Sequence, residues 1–374
     1  MSYLIIILSI ITTIYFCSIL WVIIGFLRIK AEGNKAIENT VENKISVIIP
    51  VRNEEHTILN CLNSLKDQNF KAENFEVLVI NDHSTDNTEN VVSQFIATAQ
   101  FDISYYALID ENSKKEALKL GVEKSKYETI ATTDADCILP ENWLKIISTK
   151  NSDNVDMLLG PIVFNKGKGL LSGFQNLDMF ALQGVGFGTL AYQKPILNNA
   201  ANLAYSKKAF KEVKGFDNFN TPSGDDVFLL EKFESQEKHI KGFLSKELIV
   251  ETKSEKSLNG FFNQRLRWAS KSKHYTNKLL IFFSSIIFLE NSSILFTYLG
   301  IIFSENYKAY FIILLVTKWL IDFILLLLVA DFFERKRTLF YFIPVQLLYP
   351  IYIVIIWVCS MLVKFKWKER KFNE

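Results

Sequence analysis

The chain has 374 residues, a formal net charge of +2 and a hydrophobic fraction of 49%. This near-neutral charge excludes the strong basic field typical of nucleic-acid-binding proteins, and the mean hydropathy of +0.15 is high for a purely soluble protein. The four cysteines show no C-x-x-C spacing and the four histidines are scattered, so the sequence favours neither a disulfide framework nor a zinc site.

The first predicted element is an apolar run over residues 4–27, long enough to cross a bilayer core of ~30 Å. A cleaved signal peptide is the alternative, but it has a shorter apolar region and a basic start. Here Arg28 and Lys30 follow the run instead. The pattern therefore predicts a membrane anchor over residues 1–30 with its C-terminal end in the cytoplasm, followed by a polar linker over 31–44.

Residues 45–256 have the composition of a globular domain in which β-rich runs alternate with helical segments. The predicted strands are Ile45–Val51, Phe75–Ile80, Ile103–Ala107 and Thr129–Thr133, and the predicted helices are Thr57–Leu65 and Thr88–Ala99. This order indicates an α/β fold with a mainly parallel sheet. Ligands bind such sheets at the carboxyl ends of the strands, so the polar residues there are the candidates for a site.

The C-terminal part returns to membrane-like composition. An interfacial amphipathic helix is predicted over 257–278, and about three membrane helices within 279–363, followed by a basic tail over 364–374. Lys318 and Asp322, four residues apart, are expected to pair on one helix face. Basic clusters on both sides of the last apolar segment favour the cytoplasm, so the positive-inside rule leaves the topology of that segment open.

Polar side chains follow the first two predicted strands. The first strand leads into Arg52, Asn53 and Glu54, and the second leads into Asp82. These positions suit contacts to a nucleotide, although an ordinary strand-to-helix cap is the better explanation of the first motif taken alone. Asp86 or Asn87 is expected to cap the following helix.

Carboxylates dominate two further motifs. Asp134 and Asp136 follow the fourth strand at i and i+2, a hard-oxygen arrangement that suits Mg²⁺ or Mn²⁺. Gly224-Asp225-Asp226 could supply a general base for an acceptor hydroxyl, or its acids could start the helix that follows. Both roles can coexist, with one aspartate for each.

Gln264, Arg267 and Trp268 fall at i, i+3 and i+4, on one face of a predicted helix. An arginine suits a diphosphate and a tryptophan suits stacking on a sugar. The alternative is a basic helix lying on the membrane surface. Gly184, Gly186 and Gly188 follow no predicted strand, which argues against a dinucleotide-binding loop.

Taken in order, these motifs resemble the family 2 inverting glycosyltransferases with the GT-A fold, especially the membrane hyaluronan, chitin and cellulose synthases. Gln264, Arg267 and Trp268 match the family's Q-x-x-R-W pattern. The resemblance implies a GT-A nucleotide-sugar-binding domain flanked by transmembrane helices. It also implies a nucleotide-sugar donor (a UDP-sugar), a glycan or lipid acceptor, a divalent metal and no nucleic-acid partner.

The resemblance also implies roles for single residues. The uridine end of the donor would be held by Pro50, Arg52, Glu54 and Asp82. Asp134 and Asp136 would hold the metal and diphosphate, and Asp226, beside Asp225, would be the acceptor base. Gln264, Arg267 and Trp268 would close over the diphosphate and line the acceptor entrance.

Two segments match the family less closely. Lys114 and Lys115 lie in a stretch similar to the family's glycine–lysine segment near the donor, but Ser113 replaces the glycine and leaves open which lysine matters. Asn202–Tyr205 resembles the acceptor-side segment.

Two other functions remain open at this stage. One is a single-addition enzyme acting on a lipid, similar to the ceramide glucosyltransferases. The other is a membrane scaffold with a degenerate transferase domain, against which the intact acids at all three motifs argue.

Overall fold

The computed structural model describes residues 2–33, 42–109, 113–150, 155–217, 224–362, 366–367 and 370–371. The chain divides into two units. The first comprises Met1–Leu27, Lys166–Tyr192 and Ser254–Glu374, and the second comprises Arg28–Asn165 and Gln193–Lys253.

The elements follow one another along the chain with short connections. The helices are α1 (Ser2–Gly33), α2 (Ile58–Lys66), α3 (Thr88–Ile96), α4 (Lys114–Lys124), α5 (Trp143–Lys150), α6 (Leu170–Leu190), α7 (Lys207–Glu212), α8 (Val227–Ser235), α9 (Leu258–Ser270), α10 (Lys278–Phe303), α11 (Lys308–Phe332) and α12 (Phe342–Leu362). The strands are β1 (Ile45–Val51), β2 (Phe75–Asn81), β3 (Asp102–Ala107), β4 (Thr129–Thr132), β5 (Met157–Leu159), β6 (Ile162–Phe164), β7 (Leu203–Ser206), β8 (Ile240–Gly242), β9 (Val250–Thr252), β10 (Lys366–Trp367) and β11 (Arg370–Lys371).

The second unit is built on a seven-stranded sheet in the order β3-β2-β1-β4-β7-β5-β8. The pairs β3–β2, β2–β1, β1–β4 and β5–β8 are parallel, and β7 runs antiparallel to both β4 and β5. The four strands predicted from the sequence are confirmed to within one or two residues. The sheet is mainly parallel, as predicted, but it is interrupted by an antiparallel strand that was not predicted.

The strands β1 and β2 are buried along nearly their whole length, which is the pattern of a parallel sheet covered on both faces. Gly121 lets α4 pack closely on β1, because a Cβ atom at this position would lie 2.4 Å from Cγ2 of Ile48. A larger residue there would push α4 off the sheet. The position of Lys114, the first residue of α4, therefore depends on a glycine about two turns further along the same helix.

The antiparallel strand β7 brings a further segment to the functional edge of the sheet. Leu203 pairs with Thr132, so the beginning of β7 adjoins the end of β4. The carboxyl ends of β1, β2 and β4 and the residues that precede β7 all lie at this edge. Polar side chains from four separate parts of the sequence are thereby brought to one side of the sheet.

In the first unit, α1, α10, α11 and the segment Lys336–Leu362 are long and apolar enough to cross a membrane. Their interior polar side chains bond one another. Asp322 accepts from the hydroxyl of Tyr15 (2.6 Å) and lies 2.9 Å from Nζ of Lys318, which confirms the predicted pair on α11. Glu290 accepts from Thr12 at 3.1 Å. Polar residues in an apolar helix are thus satisfied by neighbouring helices.

The unit boundaries differ from the predicted domains at residues 166–192, because α6 belongs to the first unit rather than to the predicted catalytic domain 45–256. Gly184, Gly186 and Gly188 lie inside α6, in helical backbone and not in a phosphate-binding loop. The predicted linker 31–44 begins within α1, and its residues 34–41 lie outside the described residues, as does most of the basic tail 364–374.

Candidate functional site

Arg52 and Asp82 meet where β1 and β2 end. The backbone N–H of Asp82 donates to the carbonyl of Val51 (2.8 Å), and Nη1 of Arg52 donates to the carbonyl of Asp82 (2.7 Å). Nη1 of Arg52 also lies 3.9 Å from Oδ1 of Asp82, whose side chain is buried. Two residues that the sequence placed on neighbouring strands therefore form one charged pair at the edge of the sheet.

Pro50 is tolerated inside β1 because the pairing of β1 with β4 ends two residues before it. It is aligned with Ile80 of β2, whereas the pairing of β1 with β4 ends at Ile48. A proline has no backbone N–H, and at this position no strand bond is lost on the β4 side.

Glu54 shapes the start of α2, since its Oε2 accepts from the hydroxyl of Thr57 at 2.5 Å. Asp86 ties the loops after β1 and β2 together. Its carboxylate accepts from the backbone N–H of Thr88 (3.0 Å), at the start of α3, and from that of Glu55 (3.1 Å). Burial acts to raise the pKa of Asp86, but the hydrogen bonds from Thr88 and Glu55 outweigh it and lower the pKa below 3.8. The two loops at this end of the sheet are therefore held by charge-assisted bonds.

Lys114 joins two of the acidic motifs. Its Nζ lies 2.7 Å from Oδ1 of Asp134 and 3.3 Å from Oδ2 of Asp225. Burial alone would lower the pKa of the Lys114 ammonium, but the carboxylates of Asp134 and Asp225 outweigh it and hold the pKa well above its usual range. The cluster is a fixed cation between two fixed anions, at the carboxyl end of β4.

The helix start explains why Lys114 stands where it does. Ser113 is the N-cap of α4, and its side chain accepts from the backbone N–H of Glu116 at 3.2 Å. The serine that departs from the family pattern thus has a structural role of its own. Lys115, the other candidate, is buried on α4, and Lys114 pairs with Asp134 and Asp225.

Asp136 is oriented by two neighbours. Sγ of Cys137 lies 3.7 Å from Oδ1 of Asp136, and the hydroxyl of Thr252 lies 3.4 Å from its Oδ2. Cys61 lies beneath the same loop, with Sγ 3.7 Å from the carbonyl of Asp134. Burial, followed by the negative charges of Asp136 and Asp134, raises the pKa of both thiols. Because a thiolate is the nucleophilic form, neither cysteine suits covalent catalysis.

The carboxylate oxygens at this edge of the sheet are suitable ligands for a divalent cation. Asp134 and Asp136 are partly exposed carboxylates two residues apart, and the described residues contain no group of three or more possible metal ligands. Mg²⁺ and similar ions are commonly held by one or two carboxylates together with substrate phosphates. The residues present match that mode of binding and not a complete protein cage.

Asp226 has the helix-starting role that the sequence raised as one of two alternatives. It is the N-cap of α8, and its Oδ1 accepts from the backbone N–H of Val227 at 2.8 Å. Gly224 has φ +101°, a conformation that favours glycine and turns the chain into the helix. Asp225 is buried beside Lys114. The turn at 221–223 lies outside the described residues.

In the first unit, Gln264, Arg267 and Trp268 lie on α9 and are each partly buried. The sequence reasoning missed Arg265, which is only 3% exposed and has Nη2 2.9 Å from Oδ2 of Asp178 on α6. Its guanidinium also lies over the rings of Trp268 (4.1 Å) and Phe261 (5.0 Å). The flanking aromatic residues at i−4 and i+3 were the available signal.

The segment expected on the acceptor side is anchored by Asn202. Its Nδ2 donates to the carbonyls of Pro161 (2.8 Å) and Leu248 (2.7 Å), and its Oδ1 accepts from Nε1 of Trp143 (2.8 Å). The side chain of Asn202 is thereby committed to holding the fold at the beginning of β7.

Comparisons with known proteins agree with this architecture. A family model described as "Glycosyl transferase family 2" matches residues 46–213. The chain is 32% identical over 187 residues to glycosyltransferase AglE of Haloferax volcanii, covering 48% of this chain and 58% of that protein. It is 25% identical over 267 residues to a poly-beta-1,6-N-acetyl-D-glucosamine synthase of Staphylococcus epidermidis, covering 68% of this chain and 62% of that protein. The chain thus spans roughly 60% of the length of these relatives.

Among solved structures, the chain is similar to the mannosyltransferase PcManGT of Pyrobaculum calidifontis, solved in complex with GDP-Man and Mn²⁺. The TM-score is 0.60 at 16% identity, and the match covers 92% of this chain and 98% of that chain. At this identity the likeness shows the fold, and it confirms the predicted GT-A architecture.

Proposed function

Because residues 46–213 match the model of glycosyl transferase family 2, we propose that this chain is a membrane glycosyltransferase. It transfers a sugar from a nucleotide-sugar donor, a UDP-sugar, to a hydroxyl of a saccharide or lipid-linked acceptor, with inversion at the anomeric carbon. The catalytic domain faces the cytoplasm, where nucleotide sugars are made available, and Arg28 and Lys30 at the end of α1 support this orientation.

The observation that carries the proposal is the cluster of Lys114, Asp134 and Asp225. It combines a cation that stays charged with carboxylates from two separate motifs. Lys114 is suited to a diphosphate, since its ammonium can exchange a carboxylate for a phosphate oxygen without leaving the edge of the sheet. A group that stabilises charge developing on a leaving group lowers the barrier to its departure.

The remaining donor contacts follow the order of the strands. Arg52 and Asp82, at the ends of β1 and β2, hold the nucleoside, together with Pro50 and Glu54. Asp134 and Asp136, after β4, would hold a Mg²⁺ or Mn²⁺ ion beside the diphosphate. The bound ion would neutralise the negative charge of the departing nucleoside diphosphate.

Asp226 is assigned as the general base. Its carboxylate takes the proton of the acceptor hydroxyl while the hydroxyl oxygen attacks the anomeric carbon and the bond to the diphosphate oxygen breaks. The N–H of Val227, bonded to Oδ1 of Asp226, helps to fix the orientation of the carboxylate. Asp225 is assigned to hold Lys114.

For Gln264, Arg267 and Trp268 the proposal rests on the match to the Q-x-x-R-W pattern. They are assigned to the diphosphate and to the entrance of the acceptor. Arg265, in contrast, is assigned a structural role, because its guanidinium is already paired with Asp178.

The testing experiment is a screen of radiolabelled nucleotide sugars with membranes that contain the chain, followed by sizing of the product. Incorporation of label supports the proposal, and absence of label with every donor and acceptor contradicts it. A ladder of products indicates a polymerising enzyme. A single added sugar indicates the alternative of a lipid glycosyltransferase.

A further inference from the structure

Asn198 has a side-chain amide that is unusual among the described residues, because both of its polar atoms are buried without a partner. Its Nδ2 and Oδ1 are both buried, and neither makes a hydrogen bond among the described residues. Such a group can donate two hydrogen bonds and accept two. Buried polar groups in folded proteins are nearly always paired, and an exception calls for an explanation such as a bound ligand or water.

The neighbouring asparagines show that the segment does not lack partners in general. Oδ1 of Asn199 accepts from the backbone N–H of Ala201 at 2.9 Å. The amide of Asn202 bonds to three groups of the fold, Trp143 among them. Both of these side chains hold local structure, whereas that of Asn198 does not.

The location of Asn198 connects it with the site. The carbonyl of Ala200, two residues later, accepts from the hydroxyl of Thr132 at 2.7 Å. Thr132 ends β4, and Asp134 follows two residues after it. The hydroxyl of Thr133, between Thr132 and Asp134, is a second buried polar group without a described partner. Unpaired polar groups therefore occur on both chain segments that meet at this edge.

The order of the strands indicates which part of a substrate lies here. The proposed nucleoside contacts stand at β1 and β2, the diphosphate contacts follow β4, and β7 lies on the far side of β4. In a nucleotide sugar the diphosphate stands between the nucleoside and the sugar. If the nucleoside lies at β1 and β2 and the diphosphate at β4, the sugar is therefore expected near the start of β7. An uncharged amide also suits a hydroxyl, which both donates and accepts, better than it suits a phosphate or a cation.

We propose that Asn198 is a specificity-determining residue whose amide binds ring hydroxyls of a sugar at the reaction centre, belonging either to the transferred sugar or to the acceptor. This inference rests on the proposed function. Oδ1 accepts from one hydroxyl and Nδ2 donates to the same oxygen or to its neighbour on the ring. A site built around such bonds discriminates against sugars that lack the hydroxyl, because the amide is then left unpaired.

The test compares Asn198→Leu, which keeps the volume but removes both polar atoms, with Asn90→Leu at an exposed position on α3. Binding of the nucleotide sugar and of the bare nucleoside diphosphate is measured by calorimetry with Mn²⁺, and the KM for the acceptor is measured separately. If the amide binds a hydroxyl of the donor sugar, Asn198→Leu weakens binding of the nucleotide sugar by about 5- to 150-fold and leaves the affinity for the bare nucleoside diphosphate unchanged. For a hydroxyl of the acceptor, the KM of the acceptor rises by a similar factor and donor binding is unchanged.

A folded Asn198→Leu protein that changes neither quantity overturns the inference and leaves the proposed function standing. A wild-type chain that binds no nucleotide sugar overturns both. If Asn198→Leu does not fold, a series of monodeoxy donors and acceptors with the wild-type chain decides the question. At least one monodeoxy compound must bind the wild-type chain more weakly than its parent sugar does, and must bind Asn198→Ser as tightly as the parent sugar does. Equal losses of affinity for the two proteins contradict the assignment.

Discussion

Nζ of Lys114 lies 2.7 Å from Oδ1 of Asp134, and this contact joins the start of α4 to the end of β4. The same ammonium reaches Asp225 at 3.3 Å. Lys114 thus occupies the position at which a cation is most favoured in this part of the sheet. Lys114, one of the two lysines that the sequence left open, therefore contacts acids of two separate motifs.

Replacement of Lys114 by Met is expected to lower kcat/KM by about 10²- to 10³-fold, because a fixed positive charge near the leaving group is lost. Lys119→Met is the matched control, since Lys119 lies on the same helix and pairs with Asp217, away from Asp134. Steady-state rates of sugar transfer measure both. Equal losses in the two variants would show that Lys114 acts only through the stability of α4.

Asp226→Asn is expected to lower the rate of transfer by about 10²- to 10⁴-fold while donor binding is kept. Asparagine is as good an N-cap as aspartate, so α8 should remain intact. Transfer is followed by single-turnover kinetics and donor binding by calorimetry. Near-normal transfer by Asp226→Asn would remove Asp226 as the base, and Asp225→Asn would then be the variant to compare.

Arg265→Met is expected to destabilise the first unit by about 3–5 kcal/mol, because it leaves the carboxylate of Asp178 buried without its cation. Adding Asp178→Asn should recover much of that loss, since the amide oxygen can still accept from the hydroxyl of Tyr349, now 2.9 Å from Asp178. Thermal unfolding in detergent is the measurement.

Arg267→Met is the control for that pair. It should reduce sugar transfer with a smaller effect on unfolding. The opposite pattern, with stability lost in Arg267→Met and activity alone lost in Arg265→Met, would reverse the two assignments.

Asp86→Ala is expected to reduce stability at neutral pH by about 0.5–2 kcal/mol, because the start of α3 loses an acceptor for its N–H groups. The pKa of Asp86 in the folded chain lies below its ordinary value of 3.8. The stabilisation is therefore fully present above that value and is lost as the pH falls through the lower folded pKa.

The gap between wild type and Asp86→Ala should accordingly close as the pH falls below ~3.8. Denaturant unfolding across a pH series measures the gap, with the exposed Glu89→Ala as a control. A gap that stays constant down to acid pH would mean that the Asp86 charge contributes nothing.

The strands β1 and β2 were predictable because each is a mainly apolar run followed by a polar loop, which begins at Arg52 after β1 and at Asp82 after β2. Two features were not. The strand β7 has only four residues, too few for a periodic signal, and its antiparallel direction depends on tertiary pairing with β4. The burial of Arg265 depends on Asp178, a partner on a distant helix that no local pattern in the sequence identifies.

The candidate site was predictable in its chemistry but not in its connections. The acids of both motifs were recognisable because they follow strands or precede a helix. That Lys114 joins Asp134 to Asp225 depends on the packing of α4 against β1 at Gly121, which only the folded chain defines.

The most direct test of the central claim is the release of nucleoside diphosphate from a nucleotide sugar by the purified full-length chain, with acceptor present and with or without a chelator. Metal-dependent turnover that the chelator abolishes, that added Mn²⁺ or Mg²⁺ restores and that Asp134→Asn loses is the predicted result. Tight binding of the nucleotide sugar without turnover under any of these conditions would contradict the account and favour a membrane scaffold.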